Sequence, residues 1–239
     1  MLSAAQAPRR RLFIVAAALH LVLAIALLAI AVSGASILLP VGLALRTGLP
    51  GQFAVVDLAA AAAVVVLVSV LCRASAASTT ADSRRSAWWY LEASQASGIT
   101  MFLIAQLNGI TETGTLVLCY GVAAGSVALL WVQSRRPTES RADPWPFSVA
   151  AAIAIVPWGV VALYQVTGLV VSSPPSPIVR VVTVVVLALF CALWWSERRS
   201  QLGLDSAERL DVVRTALMLA LGLVLLVLVA GLSRPSALV

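Results

Sequence analysis

The chain has 239 residues, 61% of them hydrophobic and 11% charged, with a mean hydropathy of +1.01 and a net charge of +6. This usage excludes a water-soluble globular domain and points to an integral membrane protein. All 16 basic residues are arginine, so the chain contains no lysine.

Apolar stretches occupy residues near 12–32, 53–72, 87–107, 115–133, 147–171, 178–196 and 211–232. Roughly 20 apolar residues cross a bilayer as a helix, and each stretch meets that length. Backbone groups in lipid must bond within the segment, and these Ala/Val/Leu runs lack the alternation of a barrel strand, so all seven are predicted helices. The predicted fold is an all-α integral membrane bundle of seven transmembrane helices, with residues 1–239 forming one domain. The first stretch follows Arg9, Arg10 and Arg11 as a secretion signal would, but it is too long and has no clear small-residue cleavage site.

Arginine placement sets the predicted orientation. Arg9, Arg10 and Arg11, then Arg73, Arg84 and Arg85, then Arg135, Arg136 and Arg141, then Arg198, Arg199 and Arg209 fall in the tail and the even-numbered loops. Arg46, Arg180 and Arg234 fall on the other side. The rule that positive loops stay inside makes the N-terminus cytoplasmic and the C-terminus external. A pI near 10.2 could suggest a nucleic-acid partner, but the arginines are scattered over short loops among Asp82, Glu139, Asp143, Glu197 and Asp205. Topology and contact with anionic lipid account for them, and no nucleic-acid partner is expected. Pro144 and Pro146 precede the fifth helix and Ser172–Pro177 (SSPPSP) the sixth, as helix-breaking residues should. No internal repeat is visible, and the odd helix count argues against the inverted repeats of many transporters. Cys72, Cys119 and Cys191 are isolated, so no metal site is expected.

The third stretch concentrates the chemistry. Glu92, Gln95, Ile99, Leu103 and Gln106 recur at helical spacing along one stripe, which is expected to face the bundle interior. A carboxyl group inside a membrane helix marks a functional site unless it reaches water at the helix end, and Glu92 lies only about 9 Å of helix beyond Ser86. His20, the only histidine, sits at a similar depth in the first helix. It is either coupled to Glu92 or bonded within its own helix. Arg214 lies at about the depth of Glu92 and either pairs with it or extends to the cytoplasmic surface. Pairing would make Glu92 an ionised carboxylate, and isolation would leave it neutral. Thr215 is a candidate hydrogen-bond partner of the same carboxyl.

These residues resemble a known family. The run WWYLEASQASGITMFLIAQLNGI, Trp88 to Ile110, is similar to the third helix of heliorhodopsins. Pro146-Phe147, Ile155-Val156-Pro157-Trp158 and Ala162-Leu163-Tyr164 resemble its fifth helix, Ala18-Leu19-His20-Leu21 its first, and Glu208-Arg209 the opening of its seventh. The resemblance implies a rhodopsin-like fold with an inside N-terminus. It also implies that Glu92 is the former counterion of a retinal Schiff base. The family's lysine maps onto Leu219, or onto Met218 or Ala220 with a one-residue slip, and a family serine one turn earlier maps onto Thr215. Ile99, Leu103, Trp158 and Met218 are the candidate pocket lining.

With no lysine, no covalently held cofactor is expected, and retinal could bind only non-covalently. The leading functional reading is a lysine-less heliorhodopsin-like sensor, regulator or scaffold in the cell membrane. Binding of retinal or another apolar ligand without a covalent bond is the first alternative, and a channel or transporter the second. No catalytic residues are expected, because no nucleophile, base and orienter appear together. The lipid bilayer is an expected partner, and the resemblance to heliorhodopsins implies a second copy in a homodimer and an unknown soluble cytoplasmic protein.

Overall fold

The computed structural model describes residues 6–44, 50–79, 81–136 and 145–233. Arg46, Arg141 and Arg234 of the orientation argument, with Glu139, Asp143 and Pro144, lie outside the described residues.

Among the described residues seven helices form: α1 (Gln6–Val32), α2 (Leu58–Ser78), α3 (Asp82–Leu107), α4 (Thr113–Arg135), α5 (Trp145–Val170), α6 (Pro177–Gln201) and α7 (Ala207–Ser233). All but α3 are long and apolar enough to cross a membrane. The exception is positional: α3 packs against α2, α4, α5 and α6, with α1 and α7 closing the ring, so protein rather than lipid surrounds it. A helix enclosed by protein tolerates Glu92, Ser97, Thr100 and Gln106 among its buried residues.

Several helix ends depart from the sequence expectation: α1, α3 and α7 begin at Gln6, Asp82 and Ala207 and α6 ends at Gln201, each four to six residues beyond its apolar run, and two further departures lie at the ends of α2. Residues 53–57 are not the start of α2 but part of a strand, and the chain is not purely α-helical. Strands β1 (Leu38–Ala44) and β2 (Pro50–Asp57) pair antiparallel, with Val41 opposite Ala54 and an irregularity between Val41 and Gly42. Asp57 sets the boundary by capping α2, its carboxylate accepting from Ala60 N at 2.8 Å and from Ser36 Oγ at 2.7 Å. The hairpin lies on the α3–α4 turn: Gly42 N donates to Thr111 O at 2.7 Å, and Thr113 Oγ1 donates to Gly42 O at 2.6 Å. Gly109 in that turn has φ +91°, a left-handed conformation that ends α3.

The second departure is at the other end of α2, which runs to Ser78 rather than Cys72. Ala74–Ser78 contains no helix breaker, so the helix continues and carries Arg73 into the bundle. Two glycines within the helices, Gly98 and Gly222, permit close helix contact. A Cβ on Gly98 would stand 2.7 Å from the Tyr120 ring, and one on Gly222 would stand 3.1 Å from Leu23. Gly121 and Gly125 face open space instead.

Candidate functional site

Glu92 is 1% exposed. Its cation comes from α2: Arg73 Nε lies 2.9 Å from Glu92 Oε2 and 3.1 Å from Oε1. Helix direction explains the meeting. Cα–Cβ bonds tilt toward a helix's own N-terminus, so Arg73, near the C-terminus of α2, is aimed back into the bundle. Glu92, on an antiparallel neighbour, is aimed toward it. The guanidinium also donates to Thr215 Oγ1 at 2.8 Å and to Arg214 O at 3.4 Å, which ties α2 and α3 to α7.

Arg214 therefore neither pairs with Glu92 nor extends to the surface. It is 7% exposed and holds Glu197 of α6 with two bonds, Nε to Oε1 at 2.8 Å and NH2 to Oε2 at 2.9 Å. Trp89 Nε1 and Tyr90 OH donate to the same carboxylate at 3.2 and 2.9 Å. The two ion pairs meet at Trp89, whose ring centroid is 5.5 Å from the Arg73 guanidinium carbon and 4.8 Å from that of Arg214. Thr215 likewise serves Arg73 rather than Glu92.

Arg73 and Glu197 escaped sequence reasoning because each borders a predicted span and was read as a loop charge. The available signal was the unbroken helical sequence beyond each: Ala74–Ser78 after Arg73, and Arg198–Gln201 after Glu197.

The other candidate residues scatter. His20 is buried and bonds its own helix, Nδ1 to Ala16 O at 2.8 Å, while Nε2 has no hydrogen-bond partner among the described residues. Gln95 is half-buried and turns to α4, accepting from Tyr120 OH at 2.7 Å. Ile99 and Leu103 line an apolar cleft of about 310 Å³ with Val56, Phe102 and Tyr120, and Trp158 lines a separate groove between α5 and α6. The supposed pocket residues therefore do not share one cavity.

Leu219 is half-buried, whereas Met218 is 4% exposed and points between α3 and α6. Around Met218, with Ser97, Phe190, Leu193 and Leu221, only about 10 Å³ is open, enough for about one water. Ligand pockets span about 300–1,000 Å³.

The family model for heliorhodopsin matches residues 9–195, which takes in α1 to α5 and most of α6. The chain belongs to the heliorhodopsin family. It is a multi-pass, rhodopsin-like membrane protein with α1, α3 and α5 inside the matched region. No curated protein matches it. A heliorhodopsin of this sequence has no amine side chain to hold retinal, and its Met218 region lacks the space. The Met218 and Leu219 positions therefore offer no amine for a covalent chromophore, and the space beside Met218 is about that of one water.

Proposed function

We propose that this heliorhodopsin-family protein holds no covalent retinal and acts in the membrane as a sensor, regulator or scaffold. The carrying observation is the Arg73–Glu92 pair: the former counterion keeps a cation, but a guanidinium of its own chain supplies it. Met218 and Leu219, the positions to which the family lysine maps, are apolar, and α3, α6 and α7 have closed over Met218. In this reading the N-terminus is cytoplasmic, supported by Arg9, Arg85, Arg135 and Arg198 gathering at that end of the bundle. A soluble partner would meet this arginine-rich end, and a homodimer is the expected assembly.

Transport is disfavoured by the layer beyond Glu92. Leu27, Val66, Leu103, Ile104, Leu221 and Leu225 are at most 4% exposed and separate the ion pairs from the outer polar cluster of Asn108, Gln165 and Thr183. No catalytic role is proposed, and among the described residues no group of three His, Cys, Asp or Glu could hold a metal.

The test is an absorption spectrum of the purified protein before and after adding all-trans retinal. No visible band is expected from the native chain. A band would sink the reading in favour of non-covalent light sensing. Leu219→Lys and Met218→Lys variants are measured alongside; each is expected to stay colourless while Arg73 occupies Glu92. A Met218→Lys/Arg73→Gln variant that then absorbs would identify Arg73 as the replacement cation.

A further inference from the structure

Only Pro146, Ala150, Pro157 and Val161 of α5 are buried, because α5 packs along α4 and stands away from α6. The gap is a groove of about 420 Å³, floored by Met101 of α3 and Val127 of α4. Its walls are aromatic: Phe147 meets Trp194 edge to face at 5.5 Å, and Trp158 meets Phe190 at 5.7 Å. The hydroxyl of Ser126 in the wall is already bonded to Ala123 O at 2.8 Å, so the wall asks for no polar ligand.

Along α6 the groove extends from Leu187 to Arg198, about 16 Å of helix and so about half of a bilayer core. It therefore spans one leaflet. Arg198 stands at its arginine-rich end, half-buried, with its guanidinium carbon 5.4 Å from the Phe147 ring centroid. Its neighbour Arg199 takes Asp205 at 2.9 Å, but no carboxylate among the described residues pairs with Arg198.

We propose that this groove binds an acyl chain of an anionic phospholipid from the leaflet at the arginine-rich end, with the lipid phosphate on Arg198. Three observations select this occupant: walls without polar demand, a length of one leaflet, and a cation without a carboxylate at headgroup depth. Tryptophan at that depth is the usual membrane-interface arrangement, and Trp194 and Trp195 both line the groove.

The test purifies the full chain in mild detergent with equal amounts of phosphatidylglycerol and phosphatidylcholine and reads retained lipid by native mass spectrometry. The native protein is expected to keep phosphatidylglycerol about fivefold over phosphatidylcholine, the ratio one surface arginine supports. Arg198→Gln should bring the ratio to about one, Arg198→Lys should preserve it, and Ala154→Trp, which fills the groove, should release both lipids. Equal retention by the native protein, or a preference that survives Arg198→Gln, overturns the proposal. So does an Ala154→Trp variant that turns a dimer into a monomer while its lipid stays, because a second copy would then be the occupant.

Discussion

The two sides of the bundle solve opposite problems. Where α2, α3, α6 and α7 meet, charge is buried and every charged group has a partner: Arg73 with Glu92, and Arg214 with Glu197. Between α5 and α6, charge is nearly absent and space is left open. A buried ion must be matched within the protein because lipid offers it nothing, whereas an apolar gap facing lipid is filled by the solvent already there. The polar side is therefore the part that a substitution should damage, and the groove side the part that should tolerate one.

The largest expected effect breaks one pair. Glu92→Gln or Arg73→Met leaves the partner buried and alone, and should cost about 3–5 kcal/mol in reversible unfolding measured in detergent. The double variant Arg73→Met/Glu92→Leu should be more stable than either single one; additive losses would mean the pair is not coupled. Next comes Tyr90→Phe, which removes one of the four hydrogen bonds on Glu197 and should cost about 1.5–3 kcal/mol by the same measurement. Gly98→Ala should cost about 1–3 kcal/mol, because its Cβ meets the Tyr120 ring, while Gly121→Ala, facing open space, should cost nothing.

The smallest effect is in pH. Asp205, in the α6–α7 loop, accepts from Arg199, and that bond holds its carboxyl below the usual range. A depressed folded-state value stabilises above the ordinary carboxyl range, roughly pH 4, and the contribution fades as pH falls through the depressed value. The capping carboxylate Glu112 is held low in the same way, by the Thr115 hydroxyl first and by the Thr115 and Gly114 amides. Unfolding temperature should therefore decline below about pH 4, and Asp205→Asn should flatten that decline.

Helix number and approximate span were legible because bilayer thickness imposes length directly on composition. Helix ends were less so. The apolar run of α2 stops at Cys72 while the helix continues to Ser78, since alanine and serine sustain a helix that lipid no longer requires. The hairpin was illegible for a related reason: its second strand, with Phe53, Ala54, Val55 and Val56, is apolar enough to merge into the following span. Glu92 stood out as a carboxyl within a membrane helix. Its partner did not, because depth along a helix axis was a poor guide: Arg214 lies at a similar depth but was matched to Glu197, while Arg73 reaches inward through its side-chain direction. Sequence spacing carries no such vector between helices.

The β1–β2 hairpin connects α1 to α2 and bonds through Gly42 to the α3–α4 turn. It thus works as a clasp, joining the hairpin-side ends of four helices. Asn108 at the end of α3 carries that hold on to α5 and α6 by bonding Gln165 and Thr183, so a helix moving at this end would have to break a side-chain bond to the clasped frame.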